Sequence, residues 1–189
     1  MPHSPPSAEP RWRRLPEERP QQILDAATEI FAEKGLAAAR LDDIARRAGV
    51  GNATMYRHFA NRRELALAVY ADEVDALCAR GDALLDADSP ADALYTWLLA
   101  FVSHVATRRE LAVLDADQPG TDVSARYAQW HEAMHRTATA LVDRARAAGA
   151  VRADVDPGDL LRLTSGIALT GADPHRLLRL VRHGTTPAA

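Results

Sequence analysis

Apolar side chains recur along this chain at intervals of three and four residues, which is the spacing of a buried helix face. No stretch alternates apolar and polar residues in the manner of a half-buried strand. Glycines and prolines separate the periodic segments, as at Gly35, Pro90, Gly149 and Pro174. The pattern predicts an all-α protein of about nine helices, over residues 17–34, a short pair within 41–59, 62–85, 90–107, 109–117, 121–148, and two that begin at 157 and 174.

The short pair within residues 41–59 has two glycines in its turn and a polar outward face on its second helix. Gly49 can adopt the positive φ that ends the first helix, and Met55 and Phe59 lie one turn apart and should face the core. The outward positions are then Asn52, Ala53, Tyr56 and Arg57, with Thr54 and His58 at the margins. Asn and Arg side chains bond base edges, Ala contacts a thymine methyl, and Tyr, His and Arg hold phosphates. The pair is typical of a helix-turn-helix that places its second helix in the DNA major groove.

Ordinary packing is the alternative for single residues of this pair, since Tyr56 and Phe59 taken alone are typical core aromatics of a small bundle. The whole segment with its glycines favours DNA recognition. The charge distribution agrees, although the net charge is −3: residues 11–64 carry 11 Lys/Arg and 8 Asp/Glu, and the remainder carries 12 and 18. A basic N-terminal module on an acidic body suits DNA binding by the module.

The middle helices carry aromatic, apolar and histidine side chains on two segments that should pack together. This mixture suits a pocket for a small organic molecule, although core packing explains each residue singly. The candidate pocket residues are Trp97, Phe101, His104, Tyr127, Trp130, His131 and Met134. His131 and His135 have a metal-binding spacing that His104 could complete, which keeps a metal-responsive protein as an alternative. No cysteine or acidic ligand is evident nearby, so we expect no metal site.

Several classes of protein are disfavoured by what the sequence lacks. The first ten residues show no basic-then-apolar signal, and no stretch reaches the roughly 18 apolar residues of a membrane helix. The single cysteine, Cys78, leaves no internal disulfide and suits the reducing cytoplasm. There is no nucleophile motif and no Gly-rich phosphate loop after a strand, so we expect no enzyme.

The sequence resembles the DNA-binding region of the TetR family of bacterial transcriptional regulators over about residues 19–70. The family's helix ending in AGV is matched by 48–50, and its T-hydrophobic-Y-x-H-F run by 54–59, where Met55 replaces the commoner Leu. A polar patch follows at 61–65, and the preceding helix also fits, with ILDAA at 23–27 and FAEKG at 31–35. The resemblance implies that Tyr56, His58 and Arg62 contact phosphates and that Arg40 lies near the DNA backbone.

The resemblance also implies a homodimer, with one half-site of a palindrome for each subunit. The last two helices are the expected interface because they are Leu-rich and far in sequence from the helix-turn-helix. The candidates there are Leu160, Leu163, Thr164, Ile167, Leu177, Leu180 and Val181. The family's usual pocket for a small-molecule effector supports the pocket assigned above, and no cofactor is implied.

The sequence as a whole predicts an N-terminal three-helix helix-turn-helix domain followed by a helical ligand-binding and dimerisation domain. Residues 1–15 would be a disordered basic arm, 16–75 the DNA-binding domain, 76–184 the ligand-binding and dimerisation domain, and 185–189 a tail. We expect a cytoplasmic, ligand-responsive repressor that binds double-stranded DNA as a homodimer and does not bind membranes. A helical protein-interaction module is the alternative outside regulation.

Overall fold

The computed structural model describes the backbone of residues 18–116 and 121–187 and the side chains of residues 21–106 and 126–187. The predicted arm over 1–15 lies outside the described residues, as do the last two residues of the predicted tail. Within these ranges every regular element is an α-helix, which confirms the predicted fold class.

The described residues form eight helices rather than about nine. They are α1 (Glu18–Lys34), α2 (Leu41–Arg47), α3 (Asn52–His58), α4 (Arg62–Leu84), α5 (Pro90–Ala116), α6 (Thr121–Ala147), α7 (Pro157–Thr170) and α8 (Pro174–Thr185). The predicted separate helix over 109–117 is wrong, because α5 continues through that segment without interruption. Residues 107–109 contain neither glycine nor proline, so nothing in the backbone requires the helix to stop there.

The chain divides into two compact units, the first ending at Val69 and the second beginning at Tyr70. The boundary falls inside α4, as does the boundary that the sequence predicted after residue 75. In the first unit α1 packs on α2 and α2 packs on α3. Their core is a single cluster that includes Ile23, Ile30 and Ile44, all 2% exposed or less.

In the second unit α5 is the central helix and contacts α6, α7 and α8. Trp97 of α5 is fully buried, and its indole N–H donates to the Leu77 carbonyl of α4 at 2.9 Å. Gly81 of α4 lies so close to its neighbours that a Cβ there would stand 2.1 Å from Thr137 Cγ2 of α6 and 2.9 Å from Trp97 Nε1. Glycine is therefore what lets α4, α5 and α6 approach this closely.

The last two helices start where an aspartate and a proline predicted them to start. The Asp156 carboxylate accepts from the Asp159 backbone N–H at 3.0 Å and caps α7, while Asp173 accepts from the His175 N–H at 2.9 Å and caps α8. Gly171 ends α7 with φ of 67°. Across the described ranges, no helix is both long enough and apolar enough to cross a bilayer.

Candidate nucleic-acid interface and cavity

The turn between α2 and α3 is built from local backbone contacts. Gly49 adopts φ of 66°, and the Val50 N–H donates to the Ala45 carbonyl at 3.0 Å, which reverses the chain. The Thr54 N–H then returns to the Gly51 carbonyl at 2.9 Å as α3 begins. Met55 lies fully buried on the inner side of α3, which fixes the rotation of this helix about its axis.

The outer side of α3 presents the residues that the sequence assigned to it. Asn52, Ala53, Tyr56 and Arg57 are exposed, and Thr54 and His58 are half-buried at the margins. Tyr56 is 51% exposed although it is aromatic, and its hydroxyl donates to Asp42 Oδ1 of α2 at 3.4 Å. The alternative of a core role therefore fails for Tyr56 and holds for Phe59, which is 1% exposed. The exposed set combines an amide, a methyl group, a phenol and a guanidinium on one helix.

The structure places the two flanking arginines differently. Arg40 is exposed at the position before α2, in extended backbone. The Arg62 guanidinium donates instead to the Ala37 carbonyl and, at 3.4 Å, to the Ala39 carbonyl. Arg62 therefore holds the segment between α1 and α2, a contact that no sequence pattern announces.

Ion pairs connect α1 to α2 behind the α3 surface. The Arg47 guanidinium lies 2.5 Å from Glu33 Oε1 and 3.3 Å from Glu29 Oε2, and Lys34 Nζ lies 3.2 Å from Asp43 Oδ2. The Arg47 hydrogen bond holds the pKa of Glu33 below its ordinary value, and the Lys34 hydrogen bond does the same for the pKa of Asp43. These pairs keep the carboxylates occupied within the unit.

The second unit contains a cavity of about 920 Å³ between α4, α5, α6 and α7. Five of the seven predicted pocket residues line it, namely Phe101, His104, Tyr127, His131 and Met134. Trp97 does not, because it is buried in the core and stacks on Phe101 with 5.6 Å between ring centroids. Trp130 packs edge-on against Tyr70 and Tyr127 and is also absent from the described lining.

One wall of the cavity comes from α7, which the sequence assigned to dimerisation alone. Leu161, Arg162, Ser165 and Leu169 contribute to that wall. Apolar residues occur almost all around this helix, so periodicity does not separate the cavity side from the rest. Tyr70 of α4 also lines the cavity and was missed for the same reason. Within the described ranges no cluster of three His, Cys, Asp or Glu side chains could hold a metal ion.

The predicted interface residues fall into two groups. Leu160, Thr164 and Ile167 are buried within the subunit because they share the inner face of α7 at the i, i+4, i+7 spacing. Leu163 and Leu180 are 52% and 66% exposed, and Leu177 and Val181 are half-buried. The first group therefore packs in the core of the single chain, and the second is open to a partner.

Comparison with known proteins assigns both halves of the chain to one family. The model described as bacterial regulatory proteins of the tetR family matches residues 23–69. A model described as the C-terminal domain of SbtR-like transcriptional regulators matches residues 89–187.

Curated relatives match mainly through the first unit. An HTH-type transcriptional activator of Mycolicibacterium smegmatis is 48% identical over 35% of this chain and 31% of its own length. An HTH-type transcriptional repressor of Mycobacterium tuberculosis is 40% identical over 42% of each protein. The chain thus spans less than half the length of these two relatives.

A solved structure matches nearly the whole chain. It is a TetR transcriptional regulator from Streptomyces coelicolor, 36% identical, with a TM-score of 0.78 over 90% of this chain and 99% of that one. Since the C-terminal model alone covers just over half of the 189 residues, the chain belongs to the TetR family of bacterial transcriptional regulators, a family of DNA-binding proteins and not of enzymes.

Proposed function

We propose that this protein is a sequence-specific repressor that binds a palindromic operator as a homodimer in the cytoplasm and is released by a small organic effector. The observation that carries DNA reading is the exposed polar face of α3. A phenol and a guanidinium stand on the outer side of a helix whose inner side is anchored by a fully buried methionine. Such a face supplies both base-edge donors and phosphate contacts.

The exposed leucines support dimerisation. In the described part of the chain, the large apolar side chains left most exposed are Tyr56, Leu163, Leu169 and Leu180. Three of the four lie on α7 and α8, and clustered apolar exposure of this kind is typical of a protein interface. Two copies of α3 would then read the two halves of a palindrome.

The cavity supports the effector response. Its volume suits a small organic molecule, and its lining combines aromatic and aliphatic side chains with a few polar groups. An effector that binds one conformation of the second unit more tightly would shift the population toward it. Release follows when the favoured conformation no longer matches adjacent major grooves.

Selection from a random duplex pool at physiological salt tests DNA reading and dimerisation together. Recovery of a palindrome supports both, and binding should weaken steeply with added salt. Arg57→Ala and Tyr56→Ala should each weaken operator binding about 5- to 100-fold, since each removes a DNA contact. Arg136→Ala is the matched control because that arginine lies on α6, 67% exposed, in the second unit.

Two outcomes would contradict the proposal. No enrichment of any sequence by the native chain argues for the protein-interaction module instead. Unchanged affinity in both α3 variants, with the fold intact, removes α3 as the reading helix. A promoter reporter decides the sign of regulation, since expression should rise when the gene for this protein is deleted; a fall would make it an activator.

A further inference from the structure

A buried histidine forms the polar end of the cavity. His104 is 6% exposed, and it lines both the cavity and a separate groove that contains Glu73. Its Nδ1 lies 3.5 Å from Glu73 Oε2, outside good hydrogen-bond geometry, and its ring packs 4.8 Å from the Tyr70 ring. Among the described residues neither ring nitrogen of His104 has a hydrogen-bond partner. Buried polar atoms are nearly always paired, so this ring lacks a partner that the cavity could supply.

The neighbouring carboxylate determines what that partner must be. An ionised Glu73 only accepts hydrogen bonds, so it favours the tautomer of His104 that carries its proton on Nδ1. The other nitrogen, Nε2, then has a free lone pair and accepts. The ligand group that fits is therefore a donor, such as a hydroxyl.

The charged side chains of the lining are already neutralised by neighbours. Arg162 lies 2.6 Å from Asp159 and 4.0 Å from Asp156, and Glu132 lies 3.7 Å from Arg136. A carboxylate placed at Nε2 would meet a lone pair, with the Glu73 charge behind the ring. Charge therefore favours an uncharged ligand over an anion.

We propose that the cavity takes an uncharged, largely apolar organic molecule with a hydroxyl group, and that this hydroxyl donates to Nε2 of His104. The aromatic and aliphatic walls, among them Phe101, Met134 and Leu161, bury the rest of the molecule. This inference rests on the proposed effector response, because it names the chemical class of the effector.

Three matched probes test the class directly: 2-naphthol, naphthalene and 2-naphthoate, titrated into the full chain by calorimetry at neutral pH. They share an apolar body and differ in the group offered to His104. We expect 2-naphthol to bind about 5- to 10-fold more tightly than naphthalene, the range of one net hydrogen bond, and 2-naphthoate to bind most weakly.

Variants at position 104 separate recognition from packing. His104→Leu should abolish the preference for 2-naphthol over naphthalene, because it removes the acceptor. His104→Gln should keep the preference, because the amide oxygen can accept in place of Nε2. His175→Leu, at an exposed histidine on α8 outside the cavity, is the matched control and should behave as the native chain. Thermal melts of all three confirm that each is folded.

The inference is overturned if 2-naphthoate binds most tightly, if the preference for 2-naphthol survives in His104→Leu, or if no probe binds a chain that still binds its operator. The proposed function fails in a different way. A native chain that binds no operator contradicts the proposed function, whatever the three probes do.

Discussion

The Arg62 side chain is a structural brace, since its guanidinium donates to two carbonyls in the segment between α1 and α2. We predict that Arg62→Ala lowers the free energy of unfolding by about 1–2 kcal/mol, because those carbonyls lose a charged donor. Urea titration measures the change, with Arg57→Ala as the matched control. Arg57 is exposed on the DNA-reading face, and its removal should leave stability within about 0.5 kcal/mol.

Equal midpoints for Arg62→Ala and the native chain would mean that the brace contributes nothing. In that case Arg62 would return to the role that the TetR resemblance implied, contact with a phosphate. An operator titration of the same variant then shows that role as a loss of affinity without a loss of stability.

Gly81 lies where α4, α5 and α6 approach most closely. We predict that Gly81→Ala destabilises the protein by about 1–3 kcal/mol, because the new methyl group overlaps Thr137 and the Trp97 indole. Gly166→Ala is the control, since a Cβ there meets nothing within 4 Å and glycine is unfavourable inside a helix. Thermal melting should therefore move in opposite directions for the two variants, and a shift of the same sign would contradict the prediction.

At the scale of helices, the ion pairs between α1 and α2 give the first unit a dependence on acid. The pKa of Glu33 is lowered by its hydrogen bond to Arg47, so its contribution to stability is complete above its ordinary pKa of 4.5 and is lost as pH falls through the lowered folded value. Glu33→Gln should lower the urea midpoint at pH 7 and make the midpoint less dependent on pH in the acid range.

The control for that pair is Glu132→Gln, at an exposed carboxylate of the second unit with its own arginine at 3.7 Å. It should leave the acid dependence of the first unit unchanged. Parallel pH profiles for the native chain and Glu33→Gln would show that the Arg47 contact does not persist in solution.

Most helices could be predicted from the sequence because their ends carry chemical markers. Gly35, Gly49 and Gly171 end three helices with positive φ, and Asp156 and Asp173 cap two others. The error at 109–117 arose where the periodic pattern changed without a glycine or proline to stop the helix. The inner and outer sides of α7 could not be separated, because leucines occur on both and only the contacts of its neighbours distinguish them.

The candidate sites could be predicted unequally for a related reason. The outward face of α3 depends on local spacing around one buried side, which the sequence contains. The cavity depends on four helices from distant parts of the chain, and Trp97 and Trp130 show that an aromatic residue near a cavity need not line it. Pairings such as that of Glu73 with His104 exist only in the folded second unit.

At the scale of the whole molecule, the exposed leucines on α7 and α8 require a partner surface. We predict that Leu163→Asp combined with Leu180→Asp converts the proposed dimer to a monomer, because two carboxylates would be buried in an apolar interface. Sedimentation velocity measures the change. Ala79→Asp on exposed α4 surface is the control and should remain dimeric.

The double variant should also lose operator affinity by more than either half-site change alone, since one subunit contacts half a palindrome. A native chain that sediments as a monomer at micromolar concentration would contradict the dimer, and the leucines would then need another occupant.

Leu169 belongs to two surfaces, since it lines the cavity and is also 58% exposed on α7. An effector inside and a second subunit outside would therefore contact one side chain. Thermodynamic linkage then requires that any gain in effector affinity on pairing equals the gain in pairing on effector binding. The effector's apparent dissociation constant should consequently depend on protein concentration, so a titration at nanomolar protein and one at micromolar protein would give different affinities for the same molecule.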